Sequence, residues 1–265
     1  MKQDFTGKSA FVTGAGSGIG RATSLALAAR GALVWATDFD ETLASQTAAM
    51  IEEAGGRSEA ILLDVRSEEH WLAALEKSDQ GKEGLAVLVN CAGKSKIGDT
   101  FSMPLEEVRT VFQINVEGTF LGMKHGIPRI AAAGGGAVVN ISSLAGLKGI
   151  SGMTAYCGSK GAIRMMSKAV ALECAGLRNQ VRVNSVHPGV VDTPAWQKHR
   201  PDELNPDGVS GMQSLDCHEV ARTNVPIGVA CSAEEVAQTV CFLASDAARH
   251  ITGAEIAIDG GMTAG

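Results

Sequence analysis

Seven short apolar runs recur along this chain, each five or six residues long, and longer helical patterns separate most of them. The runs are AFVTG (10–14), ALVWAT (32–37), EAILLD (59–64), LAVLVN (85–90), AVVNIS (137–142), VRVNSV (181–186) and EIAID (255–259). They are nearly continuous in apolar character rather than alternating. That pattern belongs to strands covered on both faces, as in a parallel sheet. Segments such as GRATSLALAARG, ETLASQTAAMIEEAGG and SAEEVAQTVCFLASD carry the helical spacing between them. Gly55-Gly56 stops the second of these helices, and Ser232 with Glu235 forms a capping-box pattern at the start of the last. The expected fold is α/β, a doubly wound sheet of seven parallel strands flanked by helices.

The chain has 265 residues, 45% of them hydrophobic. That is enough to bury a large core, and no linker or repeat divides it, so one domain over 1–265 is expected. The net charge of −6 argues against nucleic acid and anionic membrane as partners, since both call for basic patches. No apolar stretch is long enough to span a bilayer, and the N-terminus lacks an apolar signal core. Six cysteines lie scattered, with no C-x-x-C pair and no spacing for a zinc site, so no metal is expected and a reducing cytoplasm is the expected location. Residues 193–231 contain four prolines and little periodicity. They follow the carboxyl end of a strand, where ligands bind in such sheets, and are expected to form a substrate lid.

TGAGSGIG (13–20) joins the first strand to the first helix. Gly14, Gly18 and Gly20 relieve crowding there, and with Ser17 and Ile19 they place free N–H groups of a helix start beside a bound pyrophosphate. Asp38 ends the second strand. A carboxylate at that point accepts hydrogen bonds from ribose hydroxyls and repels a 2′-phosphate, which predicts NAD rather than NADP; the competing reading makes Asp38 or Asp40 a helix N-cap. Tyr156, the single tyrosine, lies four residues before Lys160 in a long helical pattern. The two side chains share one face. A neighbouring cation lowers a phenol's pKa toward neutrality, where proton transfer is most effective. Ser143, thirteen residues before Tyr156, follows the fifth strand and is placed to hold a substrate oxygen.

T-G-x-x-x-G-x-G, N-C-A-G (90–93), Ser143, Tyr-x-x-x-Lys and P-G (188–189), in this order, resemble the short-chain dehydrogenase/reductase family, and the resemblance extends over nearly the whole chain. Cys91 stands where the family has a second Asn. The resemblance implies a Rossmann-type fold and a catalytic set of Asn115, Ser143, Tyr156 and Lys160, in which Asn115 or a kink it supports holds a relay water. It implies that Asp64 contacts adenine and that Asp64, Val65, Asn90, Ala92, Gly93, Pro188, Gly189, Val191 and Thr193 join the glycine loop, Asp38, Tyr156 and Lys160 in the cofactor groove. Asn90 has a purely structural reading too, tying strands together, and His187 is read as structural. Ser143, Tyr156, Leu144 and Trp196 are the expected substrate contacts. The implied activity is NAD-dependent oxidation of a small-molecule secondary alcohol, an apolar cyclic alcohol or hydroxysteroid. The rivals are a 3-oxoacyl carrier-protein reductase, a dihydrodiol dehydrogenase, and a nucleotide-binding sensor without chemistry. A homotetramer is implied, with helices near 104–130 and 153–175 in one interface.

Overall fold

The computed structural model describes residues 4–194 and 216–265. Most of the expected lid, with Trp196, Leu204, Val209, Met212 and Leu215, lies outside the described residues.

Each apolar run becomes a strand, displaced by up to two residues at its ends: β1 Ser9–Thr13, β2 Leu33–Asp38, β3 Arg57–Leu62, β4 Leu85–Asn90, β5 Gly136–Ile141, β6 Val181–Pro188 and, last in the chain, β9 Glu255–Ile258. They form one seven-stranded sheet in the order β3-β2-β1-β4-β5-β6-β9, every pairing parallel. The helices are α1 Gly18–Ala28, α2 Glu41–Glu53, α3 Glu68–Asp79, α4 Leu105–Phe112, α5 Gly118–Ala132, α6 Thr154–Leu177, α7 Cys217–Asn224 and α8 Ala233–Ala244. One pairing escapes sequence patterning, a two-residue ladder between β7 Val191–Asp192 and β8 Cys231–Ser232.

Strand side chains alternate between faces, and the core divides accordingly. Val12, Val34, Val87, Val89 and Val139 point to one side, where they meet Leu27 of α1 and Val240 of α8. Phe11, Trp35, Leu88 and Val138 point to the other, against Trp71 of α3, Leu121 and Ile130 of α5 and Ala171 of α6. Continuous apolar runs are therefore required, because both faces are dry. Helix starts are fixed locally: the Asp40 side chain accepts from the amides of Thr42 and Leu43 to cap α2, and Ser232 and Glu235 complete the expected capping box on α8. Gly55, at φ +80°, follows the end of α2.

The strand order reverses between β1 and β4. Carboxyl ends of parallel strands diverge at such a point and leave a crevice. The glycine loop, the N-C-A-G segment and the residues after β5 and β6 all lie at that end.

Candidate active site

The glycine loop is built by close approaches that leave no room for side chains. A Cβ at Gly14, which has φ +65°, would lie 2.9 Å from the Ala92 Cα. Thr13 locks the same junction, its hydroxyl accepting from the amides of Cys91 and Ala92, both at 3.0 Å. A Cβ at Gly18 would meet the Thr193 side chain at 3.3 Å. The segment after β6 thus sits directly against the loop, and the two bound a groove. Gly189 presses on Asp259 in the same way. Ser17 starts α1 without a side-chain cap, and no acidic residue occupies the first turn. An uncapped helix start offers bare N–H groups to an anion.

Asp38 is buried at the end of β2. One carboxylate oxygen accepts from the Gly16 amide at 2.9 Å and the other from the Asp40 amide at 3.1 Å. Because Asp40 takes the cap of α2, Asp38 is left to face the loop. Each oxygen keeps a lone pair for a further donor. The Arg21 guanidinium reaches back to the Gly16 carbonyl and the Thr47 hydroxyl. It is spent on fixing the loop backbone. Its position on the first turn of α1, facing back, was the available signal.

Asp64 corrects an expectation. It lies two residues beyond the end of β3 rather than closing it. Its carboxylate is held by the Arg66 guanidinium, with one N–O distance of 2.6 Å, and that pairing keeps its pKa below the usual carboxylate value. Val65 is buried against Gly118, where a Cβ would clash at 2.8 Å. The Asn90 side chain donates to Asn140 at 2.8 Å, and Asn140 donates to Ser167 of α6. The amide of Asn90 therefore ties β4 to β5.

The four candidate catalytic residues converge from three elements. Tyr156 and Lys160 share a face of α6, with the Lys160 Nζ 5.7 Å from the phenol ring centre. Ser143 follows β5 and caps the 3-10 turn Leu144–Gly146, its Oγ accepting from the Ala145 amide at 3.1 Å. The Ser143 hydroxyl lies near enough to the Tyr156 phenol to favour its ionised form. Leu144 is buried beneath this turn. Asn115 lies within a π-turn, Gln113–Glu117, that joins α4 to α5. It is fully buried. Its Oδ1 accepts from the Lys94 amide at 2.8 Å, and its Nδ2 donates to the Lys94 carbonyl and to Ser159 Oγ, both at 2.9 Å. That clamp joins the segment after N-C-A-G to α6. A Cβ at Gly93 would approach both Asn115 Oδ1 and Lys160 Nζ at 3.4 Å.

The electrostatics depart from the expectation that Lys160 lowers the Tyr156 pKa. Burial pushes the phenol above its ordinary value, and the hydrogen bond from Ser143 opposes it only in part. Lys160 is itself buried and is pushed down to about 8. Its ammonium donates to the Ile141 carbonyl at 2.8 Å. In the protein alone, withdrawal from water is the largest influence on both groups. His187 was read as structural, and it is fully buried beneath the site. Its Nδ1 lies 3.0 Å from the Ser143 carbonyl and its Nε2 2.9 Å from the Ser185 hydroxyl, so it braces the turn that carries Ser143.

A doubly wound sheet, a glycine cradle at its switch point and a Ser-Tyr-Lys cluster beside it define a nicotinamide-dependent oxidoreductase that acts on CH–OH groups. The comparisons agree. A family model described as enoyl-(acyl carrier protein) reductase matches residues 14–263. The chain is 38% identical over 260 residues to a cyclopentanol dehydrogenase of Comamonas testosteroni, covering 97% of each protein. It is 35% identical over 264 residues to a cyclohexanol dehydrogenase of Acinetobacter sp., covering 99% of this chain and 98% of that one. The solved structure of a short-chain type dehydrogenase/reductase from Mycobacterium marinum superposes with a TM-score of 0.87 at 30% identity, covering 99% and 98%. The chain belongs to the short-chain dehydrogenase/reductase family.

Proposed function

We propose that this protein oxidises a cyclic secondary alcohol to the ketone with NAD. The observation that carries the reading is Tyr156 beside Ser143, with Lys160 one helical turn away and its Nζ 5.7 Å from the phenol ring centre, and the glycine cradle alongside. Relatives named for cyclopentanol and cyclohexanol supply the substrate class. The dinucleotide, when bound, supplies hydride acceptance from the carbinol carbon. Ser143 holds the substrate hydroxyl, Tyr156 takes its proton, and Lys160 supports the ribose and the phenolate. The Asn115 side chain is already occupied by Lys94 and Ser159. Its part in a proton relay therefore runs through the π-turn it stabilises, where backbone carbonyls are freed from regular pairing.

NAD follows from Asp38. A 2′-phosphate brought against a buried carboxylate meets a repulsion of several kcal/mol, and about 2.7 kcal/mol already makes a hundredfold preference. Reduced-nicotinamide absorbance with cyclopentanol and cyclohexanol, using NAD and NADP in turn, tests this. The expected kcat/KM ratio favours NAD by about 100-fold or more. NADP preference, or no turnover of either alcohol, overturns the reading.

The reading extends to a homotetramer. Leu105 and Phe120 lie exposed on α4 and α5, and Met165 and Leu172 on α6. These are large apolar side chains on the helices that the family would bury between subunits. Light scattering is expected to give four times the chain mass of 27.4 kDa; a monomer counts against it.

A further inference from the structure

We propose that Asp192, Cys217 and His218 form a binding site for a zinc-class divalent cation. The three residues come from two elements, Asp192 from β7 and Cys217-His218 from the first turn of α7. Their donor atoms all lie within 4.8 Å of one another. The Asp192 Oδ2 is 3.3 Å from His218 Nε2, and the Asp192 Oδ1 is 3.5 Å from Cys217 Sγ.

Both separations, one to each oxygen of Asp192, are close to the edge length of a metal tetrahedron. Zinc takes nitrogen and carboxylate oxygen at about 2.0–2.2 Å and thiolate at about 2.3 Å. At tetrahedral angles, donors at such radii lie roughly 3.3–3.6 Å apart. An ion can enter with little movement of the backbone. One thiolate, one imidazole and one carboxylate favour zinc over calcium or magnesium, which prefer all-oxygen shells. Three protein ligands leave a fourth position for water.

The frame around the site is rigid where rigidity is needed. Cys217 is buried in a small cluster with Val190, Val220, Ala221 and Val225. β7 is paired to β8. Asp216 caps α7 and accepts from the His218 amide at 2.9 Å, which fixes the residue bearing the imidazole. The charge balance is also suitable: Asp216 at the N-cap and Glu219 in the first turn add acidic groups at the start of α7, offsetting the positive end of the helix. Cys/His spacing could not reveal this site, and no metal was expected, because Asp192 lies 25 positions from Cys217.

Binding replaces the Cys217 thiol proton, and that proton passes to solvent. The ion joins the segment carrying Val191 and Thr193, at the edge of the proposed cofactor groove, to α7.

Cobalt(II) titration reads the site directly, because a thiolate ligand gives a ligand-to-metal charge-transfer band. The expected result is saturation at one ion per chain, displacement by zinc, release of one proton near neutral pH, and a melting temperature raised by on the order of 5 °C at a hundredfold excess over Kd. Cys217→Ser and the exposed-site variant His218→Ala are expected to lose the band or weaken binding at least tenfold, while Cys231→Ala retains it. A wild-type protein without saturable binding overturns the proposal. So does a cobalt band that survives in Cys217→Ser, or affinity unchanged in His218→Ala.

Discussion

Replacing Tyr156 with Phe is expected to lower kcat for alcohol oxidation about a thousandfold or more while NAD still binds and the fold persists. The ring stays, so its packing on α6 is kept. Only the hydroxyl is lost, and with it the phenol's interaction with the neighbouring Ser143. The folding cost is that of one modest hydrogen bond, about 1 kcal/mol. The kinetic cost is larger because proton transfer by a positioned group contributes about 10²–10⁴ in rate; a thousandfold corresponds to about 4 kcal/mol. Retention of more than about a tenth of the wild-type kcat overturns the assignment.

The wild-type pH dependence follows from the same residues. Burial holds the Tyr156 phenol protonated above its ordinary range. Oxidation needs the deprotonated form, so its rate climbs with pH. Ketone reduction uses the protonated form and shows no such climb. Lys160 keeps its charge below about 8 and loses it above, which removes support for the phenolate and ends the climb. The Phe variant's residual rate is expected to lack this rise.

Much of this was legible in the sequence because it is local. A buried parallel strand announces itself as a continuous apolar run, and seven did so to within two residues. Tyr156 and Lys160 are one helical turn apart, and the glycine loop spans eight residues joining a strand to a helix. What escaped depends on contacts between distant parts of the chain. Thr193 packing on Gly18 closes the groove across 175 positions. The two-residue pairing of β7 with β8 has no periodicity to read. Arg66 holding Asp64 moves that carboxylate into an ion pair instead of closing β3. The sign of the Tyr156 shift was misjudged for a physical reason: helical spacing reveals a neighbouring charge but not the loss of water around both groups. The Lys160 ammonium also turns to the Ile141 carbonyl, a partner supplied by a strand.

The second large effect belongs to Gly20. A Cβ built there would lie 2.0 Å from the Gly14 carbonyl oxygen and 2.6 Å from its carbon. These are backbone atoms and cannot rotate away. Gly14 cannot retreat either, since its own Cβ position is 2.9 Å from the Ala92 Cα. The first turn of α1 would have to lift from the strand, against the packing of Ala22 with Ala233 and Ala237 of α8. Overpacking of this severity costs on the order of 3 kcal/mol, which lowers the melting temperature of a chain this size by about 10 °C. Displacement of the cradle by about an ångström weakens NAD binding about a hundredfold. The same change at Gly176 is the control. That position lies in the exposed last turn of α6 with nothing within 4 Å of the new Cβ, so Gly176→Ala stabilises by up to about 1 kcal/mol. Calorimetry and NAD titration of both variants separate a steric demand of the loop from a general effect of glycine. If Gly20→Ala melts and binds NAD as the wild type does, the loop is not the rigid cradle that the cofactor reading requires, since one added methyl group against the Gly14–Ala15 backbone would then have found room.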